Sequence, residues 1–389
     1  MTIHPRIEAM TGEITAWRRD FHSNPELLFD VQRTAQVVAD KLRSFGCDEV
    51  VTGIGRTGVV AVIRGKGTGS GKVVGLRADM DALPIEEETN LPYRSQVSGK
   101  MHACGHDGHT AMLLGAAKYL AETREFDGTA IMIFQPAEEG GGGGREMCAD
   151  GLMQRFGIQE VYGMHNMPGL PIGSFAVRPG PMMAAADRFL IKIEGRGGHA
   201  AKPNDTIDPV VASAQIISAL QTIASRNCDP LDSVVVSVTA LKAGEAFNVI
   251  PQTAELRGTV RTLSKEMRVL AEKRLREIVA GVATAMGCTS EIEYDLGYPV
   301  TFNHAEQTAF VAKVAGTMVG PANVDLTVPP TMGSEDFSFM LEERPGSYIF
   351  MGNGDSAGLH HPAYDFNDKA IPVGVSYWVK VAETAMPVG

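Results

Sequence analysis

Residues with the chemistry of transition-metal ligands fall at both ends of this chain, and the stretch between them keeps a different rhythm. The segment Met101–Thr110, MHACGHDGHT, packs Cys104, His106, Asp107 and His109 together. Glu138 and Glu139 follow in FQPAEEG, His165 in YGMHNMP, and His360 with His361 only near the end, in GLHHPAYDFND. A thiol, imidazoles and carboxylates are the donors that zinc-like ions select. Cys104 and His106 are two apart, so on an extended backbone both side chains leave one face. Two ligands do not close a site, and the later carboxylates and histidines are the candidates to complete it. If His360 is one of them, residues 1–182 and 293–389 must fold as one domain with residues 183–292 inserted between them. Two consecutive domains are the other arrangement.

The rhythm itself argues an α/β class. Up to residue 182, apolar runs (TGVVAVIRG, KVVGLRADM, TAIMIFQP, EVYGMH) alternate with helical stretches such as TAMLLGAAKYLAET. That is the pattern of a mostly parallel sheet with helices on both faces. Several of the runs feed directly into the polar clusters, which is how open sheets build sites at strand ends. From Met183 the order changes to RFLIKIEGR (strand), DPVVASAQIISALQTIAS (helix), SVVVSVTALKAG and TAELRGTVRTL (strands), SKEMRVLAEKRLREIVAGVATAMG (helix) and SEIEYDLG (strand). This βαββαβ order is ferredoxin-like. Ser264 is placed to cap the long helix at its start and Gly287 at its end.

RADMDALPI, MHACGHDGH, FQPAEEG, HNMPGLP, GRGGHAAKP, FNVIP and GSEDFS occur here in that order, after RRDFHSNPEL at Arg18. So ordered, they resemble the M20 metallopeptidase clan, in its amidohydrolase branch of hippurate hydrolases, N-acyl-amino-acid amidohydrolases and plant auxin-conjugate hydrolases. The resemblance implies a catalytic domain interrupted by a lid and dimerisation domain, and two divalent metal ions per subunit. It implies Cys104, His106, Glu139, His165 and His360 as ligands, with His360 favoured over His361 by its position after Gly358 and Leu359. It also implies Glu138 as general base and His199 as a donor to the scissile carbonyl, in its own subunit or across a dimer. Asn248 and Arg261 become substrate contacts, joined by backbone groups of Gly333 and Ser334. The wider clan has His-x-Asp where this chain reads Asp79-Met80-Asp81; Cys104 stands in for the missing His, and Asp81 either orients a ligand or caps a helix. A thiolate favours zinc over manganese, with cobalt or nickel also open.

The chemistry of the residues agrees. Two metals can polarise a carbonyl and acidify a shared water, but amide hydrolysis also needs a carboxylate to move the proton to the leaving amine. Neighbours on an extended segment point opposite ways, so Glu139 can bind metal while Glu138 faces the water. A protein that only binds metal has no use for that second group. The expected reaction cleaves an N-acyl, hippurate-like amino acid to a carboxylic acid and a free amino acid; a carboxypeptidase or dipeptidase of the same clan is the alternative.

A formal charge of −11 disfavours nucleic acid and anionic membranes as partners. It also leaves an anionic substrate in need of one local cation, for which Arg261 is the candidate. Without a long apolar run or a signal core the chain is expected to be cytoplasmic; the resemblance implies a homodimer or homotetramer. The five cysteines, Cys47, Cys104, Cys148, Cys228 and Cys288, are too scattered for a disulfide scaffold. Gly140–Gly144 lacks the GKS or GKT of a phosphate loop and is expected to let the backbone pass close to the metals. His102 has no assigned role, and His109 is expected to pack or cap.

Overall fold

Side-chain parity decides how the first half folds. In the strand Val73–Asp79 (β3), Val74, Leu76 and Ala78 enter one large apolar core, whereas Arg77 points the other way, to Asp336 at 3.0 Å. Both faces of such a strand are covered, which is why its sequence is apolar nearly throughout. The computed structural model describes residues 3–67 and 69–389 and divides into two units. The first comprises the chain up to Met182 with Phe302–Pro329 and Asp336–Gly389.

This unit is built on an eight-stranded sheet. Its strands are β1 (Glu49–Ile54), β2 (Gly58–Arg64), β3, β4 (Thr129–Gln135), β5 (Glu160–Pro168), β6 (Phe175–Ala176), β7 (Val324–Asp325) and β8 (Gly346–Gly354). The order is β1-β2-β4-β3-β5-β8-β6-β7. The central four, β4, β3, β5 and β8, run parallel, and β1 and β2 add an antiparallel margin. Helices α1 (Pro5–Ser23), α2 (Gln32–Ser44) and α3 (His106–Thr123) and the C-terminal helix Ile371–Ala385 pack on one another over one face. The helix Ser338–Glu343, next to Asp336, lies on the face to which Arg77 points. The parallel strands therefore end side by side in Asp79, Gln135 and the His165 stretch.

The second unit comprises Met183–Thr301 and Pro330–Glu335. Its antiparallel sheet has the order Val234–Ala243, Thr253–Thr262, Ala185–Glu194, Thr289–Tyr298, the ferredoxin-like arrangement. Phe189, Ile191, Ile193, Leu256 and Val260 pack against Ile216 and Leu220 of one helix and Leu275 and Val279 of the other. The Ser264 hydroxyl accepts from Met267 N at 3.2 Å, and Gly287 takes φ +75°, so both caps form as expected. Four details differ from expectation. The last strand runs to Tyr298, past the limit placed at residue 292, and residues 330–335 also join this unit. The first helix stops at Leu220 and continues as a π-helical turn, Ile223–Asn227. A two-residue pairing of Gly198–His199 with Val249–Ile250 is added to the βαββαβ order. Among the described residues no helix is long and apolar enough to cross a membrane.

Candidate metal centre

Cys104 and His106 are brought together by a glycine turn, not by the extended backbone expected for them. Gly105 takes φ +89° and His106 is already the first residue of α3. A Cβ on Gly105 would stand 2.3 Å from the Asn166 amide and 2.5 Å from the Tyr364 hydroxyl, so no other residue fits. Cys104 Sγ lies 3.3 Å from His165 Nε2, while His165 Nδ1 donates to the Asn166 carbonyl at 2.6 Å. That bond leaves Nε2 as the lone-pair nitrogen, the form a metal requires.

The Glu pair is likewise turned. Ala137 has φ +54°, and Glu138–Glu139 form a turn after β4, so their divergence does not come from extended geometry. Asp81 sets this turn: its two carboxylate oxygens accept from the amides of Glu138, at 2.9 Å, and Glu139, at 3.0 Å. No helix begins at Asp81, which removes the capping role. Glu139 Oε1 then lies 3.3 Å from His360 Nε2 and 3.9 Å from His106 Nε2. His361 instead accepts from Ala363 N at 3.0 Å.

Among the described residues five groups of donors have their ligand atoms within 4.8 Å of one another, and two of them are built on Cys104: Cys104 with His106 and His165, and Cys104 with Glu139 and His360. Cys104 belongs to both. Two of the glycines after the pair are packed tightly against the protein. A Cβ on Gly143 would meet the Pro136 carbonyl at 1.7 Å, and Gly144 N donates to Asp336 at 2.8 Å.

The donors fit divalent cations on electrostatic grounds. His106 is buried, yet neither of its ring nitrogens has a hydrogen-bond partner. Burial would lower the His106 pKa, but Asp79, Asp81 and Glu139 outweigh it and raise it to about 10. Burial pushes the Cys104 thiol well above its ordinary range, and Glu139, Glu138 and Asp79 push it further. A desolvated, acid-rich cluster with orphan donors is the environment that bound cations neutralise, displacing the protons from its ligands.

Sequence reasoning missed the support behind the ligands. Asp79 accepts from Arg77 at 2.8 Å and from His109 Nδ1 at 2.7 Å. Burial opposes its charge, but His106, Arg77 and His109 hold its carboxyl well below the usual range. His109 Nε2 accepts from the backbone N–H of Asn166 at 3.0 Å, so both its nitrogens are engaged in hydrogen bonds. Asn166 also donates to the Cys104 carbonyl at 2.7 Å and accepts from Tyr364 at 2.7 Å. The one signal for this layer is the charge of Arg77 inside an otherwise apolar strand. His102 is buried with neither ring nitrogen partnered, and burial drives its pKa down to about 3, so it is neutral. All five cysteines are free.

The second unit holds the other candidates. Val249 is the register partner of His199, and Ala200 N donates to the Asn248 carbonyl at 3.0 Å, so His199 and Asn248 are neighbours. His199 is exposed; its Nδ1 accepts from Ala201 N at 3.1 Å, which leaves Nε2 as the donor. Arg261 is half-buried, donates to the Thr259 hydroxyl and to Val260 O at 3.2 Å, and has no carboxylate partner. Burial and then Arg188 lower its pKa. Gly333 and Ser334 lie in the 330–335 segment, where the Gly333 carbonyl is engaged by Ala184 N at 2.8 Å.

The profile of peptidase family M20/M25/M40 matches residues 75–384. Hippurate hydrolase of Campylobacter jejuni subsp. jejuni is 46% identical over 382 residues, covering 98% of this chain and 99% of that protein. Thermostable carboxypeptidase 2 of Saccharolobus solfataricus is 42% identical over 372 residues, 93% of this chain and 92% of that one. Among solved structures, the YXEP protein of Bacillus subtilis, described as a dinuclear metal binding peptidase from the M20 family, superposes with a TM-score of 0.85 at 36% identity, over 97% of this chain and 99% of its own.

Proposed function

The chain belongs to peptidase family M20/M25/M40 and is a metal-dependent amidohydrolase with two divalent metal ions, and from that premise we propose that it hydrolyses N-acyl amino acids of the hippurate type. The products are a carboxylic acid and a free amino acid. The observation that carries this reading is Glu138, buried and aimed by Asp81 beside a complete donor set. Near-full-length likeness to a hippurate hydrolase supports the substrate class.

In this reading Cys104, His106 and His165 hold one ion, and Cys104, Glu139 and His360 the other. Zinc suits the thiolate best; manganese, cobalt and nickel are accepted less readily. Bound there, the ions supply Lewis acidity to the scissile carbonyl and acidify the attacking water. Glu138 removes the proton from that water and delivers it to the amine nitrogen as the C–N bond breaks. Asp81 keeps Glu138 and Glu139 in register through their amides. His199 Nε2 donates to the carbonyl oxygen as charge develops there, a contribution typically worth about a hundred- to a thousandfold in kcat. Asn248, with Gly333 and Ser334, holds the substrate.

Arg261 grips the α-carboxylate, and the absence of an acidic partner for it supports this role. Arg261→Lys is expected to raise KM about tenfold with little change in kcat, because a point charge replaces a planar fork. Equal damage toward a substrate amidated at that carboxylate would assign Arg261 another task.

The experiment that tests the function is hydrolysis of hippurate, N-acetyl amino acids and N-blocked dipeptides by metal-loaded and chelated protein. Hippurate is expected to yield benzoate and glycine, and chelator to abolish it. Cleavage of the peptides without cleavage of hippurate would favour the carboxypeptidase reading, to which the Saccharolobus relative points. A cytoplasmic homodimer or homotetramer completes the proposal. Its support is the outer strand Val234–Ala243, an unpaired edge on which Leu241 is 50% exposed.

A further inference from the structure

Arg18 lies far from the chemistry in sequence, in α1, yet its side chain is wholly buried between the two segments that carry His106 and His360. Its Nε is 2.9 Å from Asp107, the neighbour of His106. One terminal nitrogen donates to Asp365 Oδ1 at 2.6 Å, a short way beyond His360, and the other is 3.6 Å from Asp368. The guanidinium also lies 4.9 Å from the ring of Tyr93, whose hydroxyl donates to the second oxygen of Asp365 at 2.9 Å.

The two segments differ in how firmly they are otherwise held. His106 begins a buried helix, and Asp107 has a second partner in His22 Nδ1 at 2.8 Å. His360 adopts φ +64°, a conformation that a residue with a Cβ keeps only when its surroundings impose it. Its side chain is 53% exposed. What holds it is the docking of the 360–368 segment: His360 N donates to Ala103 O at 2.8 Å, Glu88 N to Pro362 O at 2.9 Å, and Phe366 fills the space left by the absent Cβ of Gly108. Asp365, clamped by Arg18, is the charged anchor nearer His360; Asp368, at the far end of the segment, accepts from Arg19 at 2.8 Å.

The geometry points to Arg18 as a positioning residue that ties the His360 segment to the start of α3, and thereby sets the metal affinity of the Cys104–Glu139–His360 cluster. This rests on the ligand assignment proposed above. Without the guanidinium, Asp107 keeps His22 and Asp368 keeps Arg19, whereas Asp365 keeps only Tyr93 and solvent, so the stretch nearest His360 loosens and the His106 side stays. Groups behind metal ligands typically contribute about ten- to a hundredfold in affinity.

The test is zinc titration of the metal-free protein, with metal content counted by mass spectrometry. Wild type is expected to bind two ions and His360→Ala one. Arg18→Lys is expected to bind the first ion normally and the second about tenfold or more weakly, with excess zinc restoring turnover. Asp365→Asn should do the same and decides the matter if Arg18→Lys does not fold. Normal affinity for both ions in these variants, or equal weakening of both, overturns the inference and leaves Arg18 a support of the fold. If His360→Ala still binds two ions, the ligand assignment itself falls.

Discussion

Glu138→Gln is expected to leave both metal ions bound and to lower kcat by at least about a hundredfold, and by up to about ten-thousandfold, the range of general acid–base catalysis. Glutamine matches glutamate in shape but cannot take a proton from water at neutral pH. The turn that presents the side chain is held through the backbone amides of Glu138 and Glu139 on Asp81, so the substitution does not touch it. Neither donor cluster built on Cys104 includes Glu138. Activity and metal content should therefore separate. Near-normal turnover by a fully loaded Glu138→Gln protein would remove Glu138 from the mechanism and leave the proton transfer without a carboxylate at that place.

Cys104→Ser should behave in the opposite way, losing metal and activity together. Because the sulfur lies in both clusters, replacing a thiolate with an alcohol weakens two sites at once, whereas His360→Ala weakens one. Metal content should fall from two ions toward none at limiting zinc, with turnover lower by more than about a hundredfold. The wild-type thiol should also resist alkylation with metal bound and lose that protection on chelation, since the metal holds the thiolate that would react. Equal alkylation with and without metal would show Cys104 to be a buried thiol and nothing more.

What could be read from the sequence was whatever depends on order and type. The donors stand in recognisable motifs, and the change from alternating strands and helices to βαββαβ at Met183 is visible in the apolar pattern alone. Local backbone conformation was much less legible. Nothing in the residues around Cys104 announces that Gly105 bends the chain, because the reason for it is Asn166 and Tyr364, both remote in sequence. Ala137 at φ +54° is equally silent, since alanine is not a residue that advertises a left-handed turn. The layer of Arg77, Asp79, His109 and Asn166 is assembled by contacts between distant strands. Arg77 finds its partner Asp336 across most of the chain, beyond the reach of periodicity or spacing. The insert's limits shifted for a similar reason: residues 330–335 join it by folding back to Ala184, a contact without any pattern in composition.

The late arrival of His360 has a consequence for the order in which the protein comes into being. Domains fold as units as the chain is synthesised from its N-terminus. The stretch Met183–Thr301 holds all four strands and both helices of the smaller sheet and is made without interruption. It can be finished while the larger sheet still lacks β8, the strand that pairs with the His165-bearing β5. A nascent chain thus carries its cysteine and first histidines for most of its synthesis without their last partner. With His360 as the proposed last ligand, the centre is completed only when almost the whole polypeptide has left the ribosome, so a chain cut short between residues 335 and 360 would contain a finished insert and no finished enzyme.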